Sequence, residues 1–256
     1  MPDTPADLLP AALRADPAGP LLTFYDDATG ERVELSATTL SNWVAKTANL
    51  LQDDLGVQGG DRIGIVLPPH WQTAVALLAC WAVGAEVRRR SVSEPTLLVC
   101  EAQLAEVLAA PAVPEEIVAF SLAPLGRGLS APQPGVVDYA ADVLSHGDRF
   151  SPHGRLDPSA PALDGVTGAD LVAQARERAR QLGLSRGGRL LVSPDTDVDE
   201  GRAGADSILD MLLAPLAAGS SVVLCRNADP AALPRRAQAE RVTATLREAG
   251  SLGTPR

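Results

Sequence analysis

Gly59-Gly60-Asp61-Arg62-Ile63-Gly64-Ile65-Val66-Leu67-Pro68-Pro69, followed by the apolar run from Trp71 to Val83 and by Gly84, is the stretch on which the fold turns. It reads as a tight turn, a buried strand, a stop and a helix. Arg62 to Leu67 is short, increasingly apolar and bounded by turn formers, the pattern of a central parallel strand covered on both faces. Pro68 and Pro69 lack the N–H that a ladder needs, so the strand ends there. Between Trp71 and Val83 the only strongly polar side chain is Gln72. Trp71, Val75, Leu78 and Ala82 recur at helical spacing, while Ala74, Leu77 and Trp81 fill the other faces. A helix apolar all round is buried on more than one side. Gly84 supplies the stop. The whole is one strand–helix unit of an open α/β sheet, packed inside a domain.

Outward from this unit the elements keep α/β order. Leu8 to Leu13 reads as a short helix, and Leu21 to Leu35 as a β-hairpin turning at Ala28 to Gly30. Ser36 is an N-cap for a helix over 37–55, with Leu40, Val44, Ala48 and Leu51 on its apolar stripe and Gly56 at its end. Ala85 to Val87 begins a strand that Arg88-Arg89-Arg90 interrupts, a run expected to be a solvated edge rather than an anion site. Thr96 to Cys100 and Glu116 to Leu122 read as strands, and Ala102 to Ala110 as a helix. Leu125 to Val136 is a Gly- and Pro-rich surface connection. Asp138 to His146 is helical, and Gly147 to Pro161 is loop.

Thr167 and Asp170 have capping-box spacing, with Asp in place of the usual Glu. The helix they open has Leu171, Val172, Ala175, Ala179 and Leu182 on its inner stripe, Arg176, Arg178 and Arg180 pointing outward, and Gly183 at its end. Leu190 to Ser193 and Ser221 to Cys225 are strands. Between them lie an acidic loop, Pro194 to Gly204, and a helix, Asp206 to Ala218, that must kink or break at Pro215. Asp229-Pro230 sets an N-cap before Pro at the first helical position. Arg241 to Leu246 is helix or a returning strand, and residues 251–256 are expected to fray. The expected fold class is therefore α/β, with mostly parallel open sheets flanked by helices. It forms a single domain over 1–250, or two packed halves over about 1–150 and 151–250.

Composition narrows the function classes. Of the 256 residues 46% are hydrophobic and 21% charged, enough apolar chain for a sizeable core. The formal net charge is −10 and the pI is near 4.8, so neither nucleic acid nor an anionic membrane is an expected partner. Cys80, Cys100 and Cys225 lie far apart in apolar contexts, which reads as buried free thiols in a reducing compartment. Met1 to Pro10 has neither the apolar core of a signal peptide nor the basic character of a transit peptide. No apolar run reaches the ~20 residues of a membrane span. A soluble, cytoplasmic protein is expected.

Several segments together carry a family resemblance. Leu35 to Leu40, Ala48-Asn49-Leu50-Leu51, Gly56-Val57-Gln58-Gly59-Gly60-Asp61-Arg62-Ile63 and the helix to Gly84-Ala85 resemble the amino-terminal region of acyl-adenylate-forming enzymes, the AMP-binding superfamily of acyl-CoA synthetases and luciferases. Leu182-Gly183-Leu184, Gly188 to Ser193 and Leu212 to Leu224 resemble the segment after that family's phosphate loop. The resemblance implies the fold of the amino-terminal domain of those enzymes. Fold alone does not imply activity.

The family's chemistry, by the same resemblance, joins a carboxylate to AMP with ATP and Mg²⁺. Its phosphate loop is rich in Ser, Thr and Gly, carries a lysine, and precedes the helix matched here by Thr167 to Leu182. Backbone N–H groups and a cation must hold the β- and γ-phosphates there. Here the corresponding place reads Ser159-Ala160-Pro161-Ala162-Leu163-Asp164-Gly165-Val166-Thr167-Gly168-Ala169-Asp170, a loop that looks deleted and acidic. It is expected to be an ordinary connection. The family also relies on a second lysine in a carboxy-terminal domain. One lysine, Lys46, stands in this chain beside 21 arginines, and it fits neither place. Arg is not a free substitute for Lys as a point charge. The adenine and Mg²⁺ motifs and the mobile carboxy-terminal domain are likewise unmatched.

Other constellations are weaker. Gly183-Leu184-Ser185-Arg186-Gly187 fits G-x-S-x-G but sits between a helix and a strand, the reverse of a nucleophile elbow. Ser145, His146 and Asp148 are neighbours in one loop, whereas triads assemble from distant segments. Asp195-Thr196-Asp197-Val198-Asp199-Glu200 resembles the start of a calcium loop but lacks the sixth-position Gly.

His70, Pro194 and Asp195, at the exits of two strands, are the candidate lining of a ligand crevice, because open α/β sheets bind ligands at strand carboxyl ends. His70 itself reads first as a surface histidine at a helix start. No residue is assigned a catalytic, nucleotide-binding or metal-ligating role, and no cofactor is expected. The resulting expectation is a truncated, catalytically silent relative of the adenylating enzymes. It acts as a binding or regulatory scaffold, with a homo-oligomer or a protein partner over exposed apolar surface. The alternatives are an acyl-CoA synthetase-like enzyme or CoA-, acyl- or nucleotide-binding protein completed by a partner chain, and an acidic-loop calcium-binding module.

Overall fold

Two sheets share a layer of helices in the computed structural model, which describes residues 2–194, 208–247 and 251–253. The strands are β1 (Pro20–Asp26), β2 (Glu31–Ser36), β3 (Arg62–Val66), β4 (Glu86–Arg89), β5 (Thr96–Cys100), β6 (Glu116–Phe120), β7 (Val137–Asp138), β8 (Pro161–Leu163), β9 (Val166–Thr167), β10 (Arg189–Val192), β11 (Ser221–Arg226), β12 (Ala244–Arg247) and β13 (Ser251–Gly253). The helices are α1 (Leu8–Ala15), α2 (Ala37–Asn49), α3 (Trp71–Val83), α4 (Glu101–Leu108), α5 (Tyr139–Asp142), α6 (Gly168–Gln181), α7 (Ala214–Ala218) and α8 (Leu233–Ala239). One sheet runs β13-β12-β10-β11-β1-β2 and the other β7-β6-β5-β3-β4-β8-β9. Antiparallel pairs occur only at outer edges among these strands, as β1/β2, β12/β13 and β8/β9.

Strand β3 is central, as its sequence demands. It pairs in parallel with β4 on one side and β5 on the other. Every α3 residue except Ala82 is buried. The reason is its position: α3 touches β4 of one sheet and β1 of the other. Gly84 ends it at φ 93, and its N–H bonds the Cys80 and Trp81 carbonyls.

Strand alternation produces the layers. Leu22, Phe24, Leu190, Val192 and Leu224 of one sheet and Ile63, Ile65, Leu98, Val118 and Phe120 of the other share the central core with α2, α3 and α6. The opposite faces hold Leu97, Val99, Ile117 and Ala119 under Leu104 and Val107 of α4, and Leu191, Val223 and Cys225 under Leu233 of α8. Each fully buried Leu, Ile, Val or Phe contributes roughly 1.5–3 kcal/mol relative to exposure.

Local signals act where they are written. Ser36 Oγ accepts the Thr39 N–H at 3.1 Å. Thr167 Oγ accepts the Asp170 N–H at 3.1 Å, while Asp170 answers the Thr167 hydroxyl at 2.8 Å. Residues Leu209–Leu213 wind as a π-helical turn directly before Pro215, which absorbs the missing N–H.

Five expectations need correction. Arg88 and Arg89 continue β4 instead of interrupting it, and β4 is an inner strand between β3 and β8, with the turn postponed to Arg90 at φ 57. The ordinary connection expected over 159–170 holds the hairpin β8/β9, which begins where the loop expected over 147–161 ends. Arg178 is not an outward charge, since its guanidinium pairs with buried Asp210 at 2.6 Å. Residues Ser251–Gly253 pair with β12 where fraying is expected. A division near residue 150 does not separate the sheets, because β1 and β2 join the sheet of β10 to β13, and β8 and β9 join the other.

Candidate functional site

The place matched to the phosphate loop is occupied by a closed hairpin turn. Asp164 at φ 46 and Gly165 at φ 87 link β8 to β9, the left-handed pair that a two-residue hairpin requires. Asp164 Oδ1 accepts the Arg89 N–H at 3.0 Å and Oδ2 accepts Arg89 Nε at 2.6 Å. The Asp164 N–H reaches the Val87 carbonyl at 3.0 Å, and the Gly165 N–H reaches Glu86 Oε1 at 2.7 Å. These turn N–H groups already have protein acceptors, and its side chain is an anion.

Lys46 is committed elsewhere. Its Nζ donates to the His146 carbonyl and pairs with Asp148 at 2.9 Å. Asn49 donates to the Gly147 and Arg149 carbonyls at 3.0 Å each, and Gln52 accepts the His153 N–H at 3.0 Å. Lys46, Asn49 and Gln52 stand one helical turn apart, so one face of α2 and its continuation pins the backbone of 146–153.

His70 is inside the molecule, at 1% exposure, and lines neither of the two clefts described below. The expected surface position is wrong because the ring packs edge-on against Phe24, at 4.4 Å between centroids, between the two sheets. Nδ1 accepts the Gln72 N–H at 3.1 Å and caps α3. Nε2 has no hydrogen-bond partner and stands 3.6 Å from Glu31 Oε2. Burial lowers the pKa of His70, against the raising effect of Glu31. Pro194 ends its described segment half-buried; Asp195 and the calcium-like stretch 195–206 lie outside the described residues.

The clefts lie at the other end of the sheets. One of about 540 Å³ opens where β3, β4 and β8 begin, with Gly59, Gly84, Trp81 and Leu156 on its wall and Gln58 and Arg155 at its lip. Another of about 540 Å³ opens where β1, β10 and β11 begin, lined by Arg186, Arg189, Gly219, Ser221, Glu240 and Arg241 among others. The second cleft is backed by an ionic network. Glu240 accepts hydrogen bonds from Tyr25, from Arg32 at 3.0 Å and from Arg189 at 2.6 Å. Burial opposes ionisation of Glu240, but these donors outweigh it and hold its pKa below the ordinary value. Arg236 stacks over the Tyr25 ring at 4.1 Å and pairs with Asp27 at 2.6 Å, fastening α8 to the sheet.

The other sequence candidates are structural. Ser145 Oγ donates to the Asp142 carbonyl, His146 faces Asp54 at 3.2 Å, and Asp148 serves Lys46. Ser185 lies in the turn from α6 into β10, where its carbonyl accepts the Gly188 N–H at 2.8 Å. The three cysteines are free and buried, and burial pushes Cys80 up to about 12. No group of three or more metal-ligating side chains occurs among the described residues, and no helix among them is long and apolar enough to cross a membrane. Exposed large hydrophobics among them are Val92, Leu108, Val113 and Leu144.

Residues 12–88 match the family described as AMP-binding enzyme. A protein of Mycobacterium tuberculosis described as a TIGR03089 family protein is 42% identical over 242 residues, covering 93% of this chain and 96% of its own. Among solved structures, an acyl-CoA synthetase of Brucella canis superposes with a TM-score of 0.75 at 16% identity, over 94% of this chain and 46% of the enzyme. The acetoacetyl-CoA synthetase from Streptomyces lividans gives 0.74 at 18% identity, over 94% and 42%. The chain thus spans less than half the length of these two enzymes, and the likeness to them is one of fold.

Proposed function

Since this chain belongs to the adenylate-forming AMP-binding superfamily, and within it to the family of the mycobacterial protein, we propose that it serves as a catalytically silent binding or regulatory scaffold. The observation that carries this reading is the Asp164–Gly165 hairpin turn. Where the superfamily resemblance calls for a flexible, lysine-bearing phosphate cradle, this chain has a two-residue turn whose N–H groups bond to Val87 and Glu86 and whose carboxylate bonds to Arg89. The engagement of Lys46 with Asp148 supports the same reading.

The test is calorimetry of the purified chain with MgATP, AMP and CoA, together with hydroxamate trapping of acyl-adenylate using acetate, a fatty acid and an aryl acid. The expected outcome is no turnover and no ATP binding at millimolar or tighter affinity. Release of pyrophosphate by the chain alone refutes the proposal. A second reading, an acyl- or CoA-handling activity completed by further polypeptide, draws on the fraction of the solved enzymes that the chain spans, 42–46%. Activity that appears only on adding a second polypeptide supports it.

A further inference from the structure

We infer that the cleft at the amino ends of β1, β10 and β11 is a binding site for the phosphate group of a small molecule, held between Arg186 and Arg241. Such a site stands whether or not the chain is catalytically silent. It lies at the end of the sheet opposite to His70 and Pro194.

The charge at this cleft is uneven once the existing pairs are set aside. Glu34 is taken by Arg32 at 2.7 Å. Glu240 is taken by Tyr25, Arg32 and Arg189. Asp16, in the same lining, accepts only the neutral Gly19 N–H, at 2.9 Å, and keeps its charge. Arg189 is spent inward, on Thr23 at 2.7 Å, Ser221 at 3.2 Å and Glu240. Arg186 and Arg241 line the same cleft, are exposed, and make no ion pair among the described residues. Counted with Arg32, which Glu34 and Glu240 share, four arginines stand against the three carboxylates Asp16, Glu34 and Glu240, and Arg186 and Arg241 are the two that make no ion pair among the described residues.

Shape agrees with charge. A cavity of about 540 Å³ lies within the range of small-molecule sites. Gly219, at φ 68, leaves the space over which the Arg186 side chain lies; a Cβ there would stand 3.6 Å from Arg186 Cγ. Guanidinium forks match phosphate oxygens in a bidentate way. A phosphate monoester carries about −1.5 to −2 charges at neutral pH and offers three acceptor oxygens to the guanidinium groups of Arg186 and Arg241. The buried Arg189–Glu240 pair fixes the floor, so the ligand meets a preformed wall.

The experiment is titration of the full chain with ribose 5-phosphate, inorganic phosphate, succinate and ribose at low salt, followed by isothermal calorimetry and by amide chemical shifts. Saturable binding of ribose 5-phosphate is expected, with shifts at Gly187, Gly188 and Gly219 and none at His70 or Ser193. Arg186→Ala and Arg241→Ala should each weaken it about tenfold, with partial rescue by the lysine variants. Equal affinity for inorganic phosphate assigns the site to the free anion; tighter binding of the ester assigns it to an organic phosphate. Ribose binding as well as its phosphate, succinate binding more tightly, or affinity unchanged in both alanine variants overturns the inference, as does no saturation by about 10 mM.

Discussion

His70 Nε2 faces Glu31 Oε2 at 3.6 Å across the boundary between the two sheets, both side chains nearly sealed from solvent. The distance is beyond a hydrogen bond, and Nδ1 is already an acceptor for the Gln72 N–H. A proton added to the neutral ring must go on Nδ1, and it removes the cap of α3. Burial and capping both favour the neutral form, in keeping with the lowered pKa. The unfolded chain takes up that proton near pH 6.5 and the folded chain only at lower pH. Stability contributed by neutral His70 is therefore complete above about pH 6.5 and is lost as pH falls towards the folded value, with a slope of at most about 1.4 kcal/mol per pH unit. Urea unfolding between pH 8 and 5 measures it. His70→Asn keeps a capping oxygen and should flatten this part of the profile; an unchanged slope in that variant refutes the assignment.

Glu240 acts in a lower window. Its pKa is held below 4.5 by Tyr25, Arg32 and Arg189 despite burial, so its contribution is present above that value and lost as pH falls through the folded one. Arg189 and Glu240 are each 9% exposed in their side chains. Removing either partner strands the other, and Arg189→Met or Glu240→Leu should each cost about 3 kcal/mol. Removing both leaves no stranded charge in this pair, so the double variant should be more stable than the sum of the two losses predicts. Additive losses in a double-mutant cycle would show that the two do not act together.

The strand–helix unit was legible because its signals are local. Alternation and helical spacing between Arg62 and Gly84 need no distant partner to be read, nor do the caps at Ser36 and Thr167. What stayed hidden depends on residues far apart in the chain. Arg88 and Arg89 look like a solvated break until Glu86, Glu94 and Asp164 are seen to receive them. His70 looks like a surface residue until β1 and β2 close over it. The β8/β9 hairpin did carry a signal, Asp164-Gly165, but its strands are too short for alternation to show. Arg186 stands within Gly183 to Gly187, but nothing local to that segment marks it as facing a cleft. Its role needs Arg241, which a different loop supplies.

Gly64 tests the packing of the central strand. A Cβ at this position would lie 2.2 Å from the Ser91 carbonyl oxygen and 3.0 Å from Leu97 Cδ1. The first neighbour is backbone, in the segment anchored by Glu94 to Ser91 at 2.9 Å and to Arg62 at 3.4 Å. It has no rotamer with which to yield. Gly64→Ala should destabilise by about 1–3 kcal/mol, from overpacking alone. A midpoint of urea unfolding equal to that of the parent chain would mean that 90–94 moves freely away.

The Asp164–Gly165 turn separates structural from ligand-holding explanations of the same residues. If the turn exists to hold the sheet edge, Asp164→Ala loses two hydrogen bonds to Arg89 and destabilises by about 1 kcal/mol, the small value suiting a partly exposed pair. Gly165→Ala forces an alanine to φ 87 and should cost about 1–2 kcal/mol. If the carboxylate were instead the one obstacle to a polyphosphate, its removal would let MgATP raise the melting temperature. The two accounts thus differ in sign for a single variant. Asp164→Ala should melt lower than the parent chain and show no shift with MgATP, because its N–H groups still bond to Val87 and Glu86 and no lysine stands near. A nucleotide-dependent rise in that variant would return the site to the phosphate-binding class.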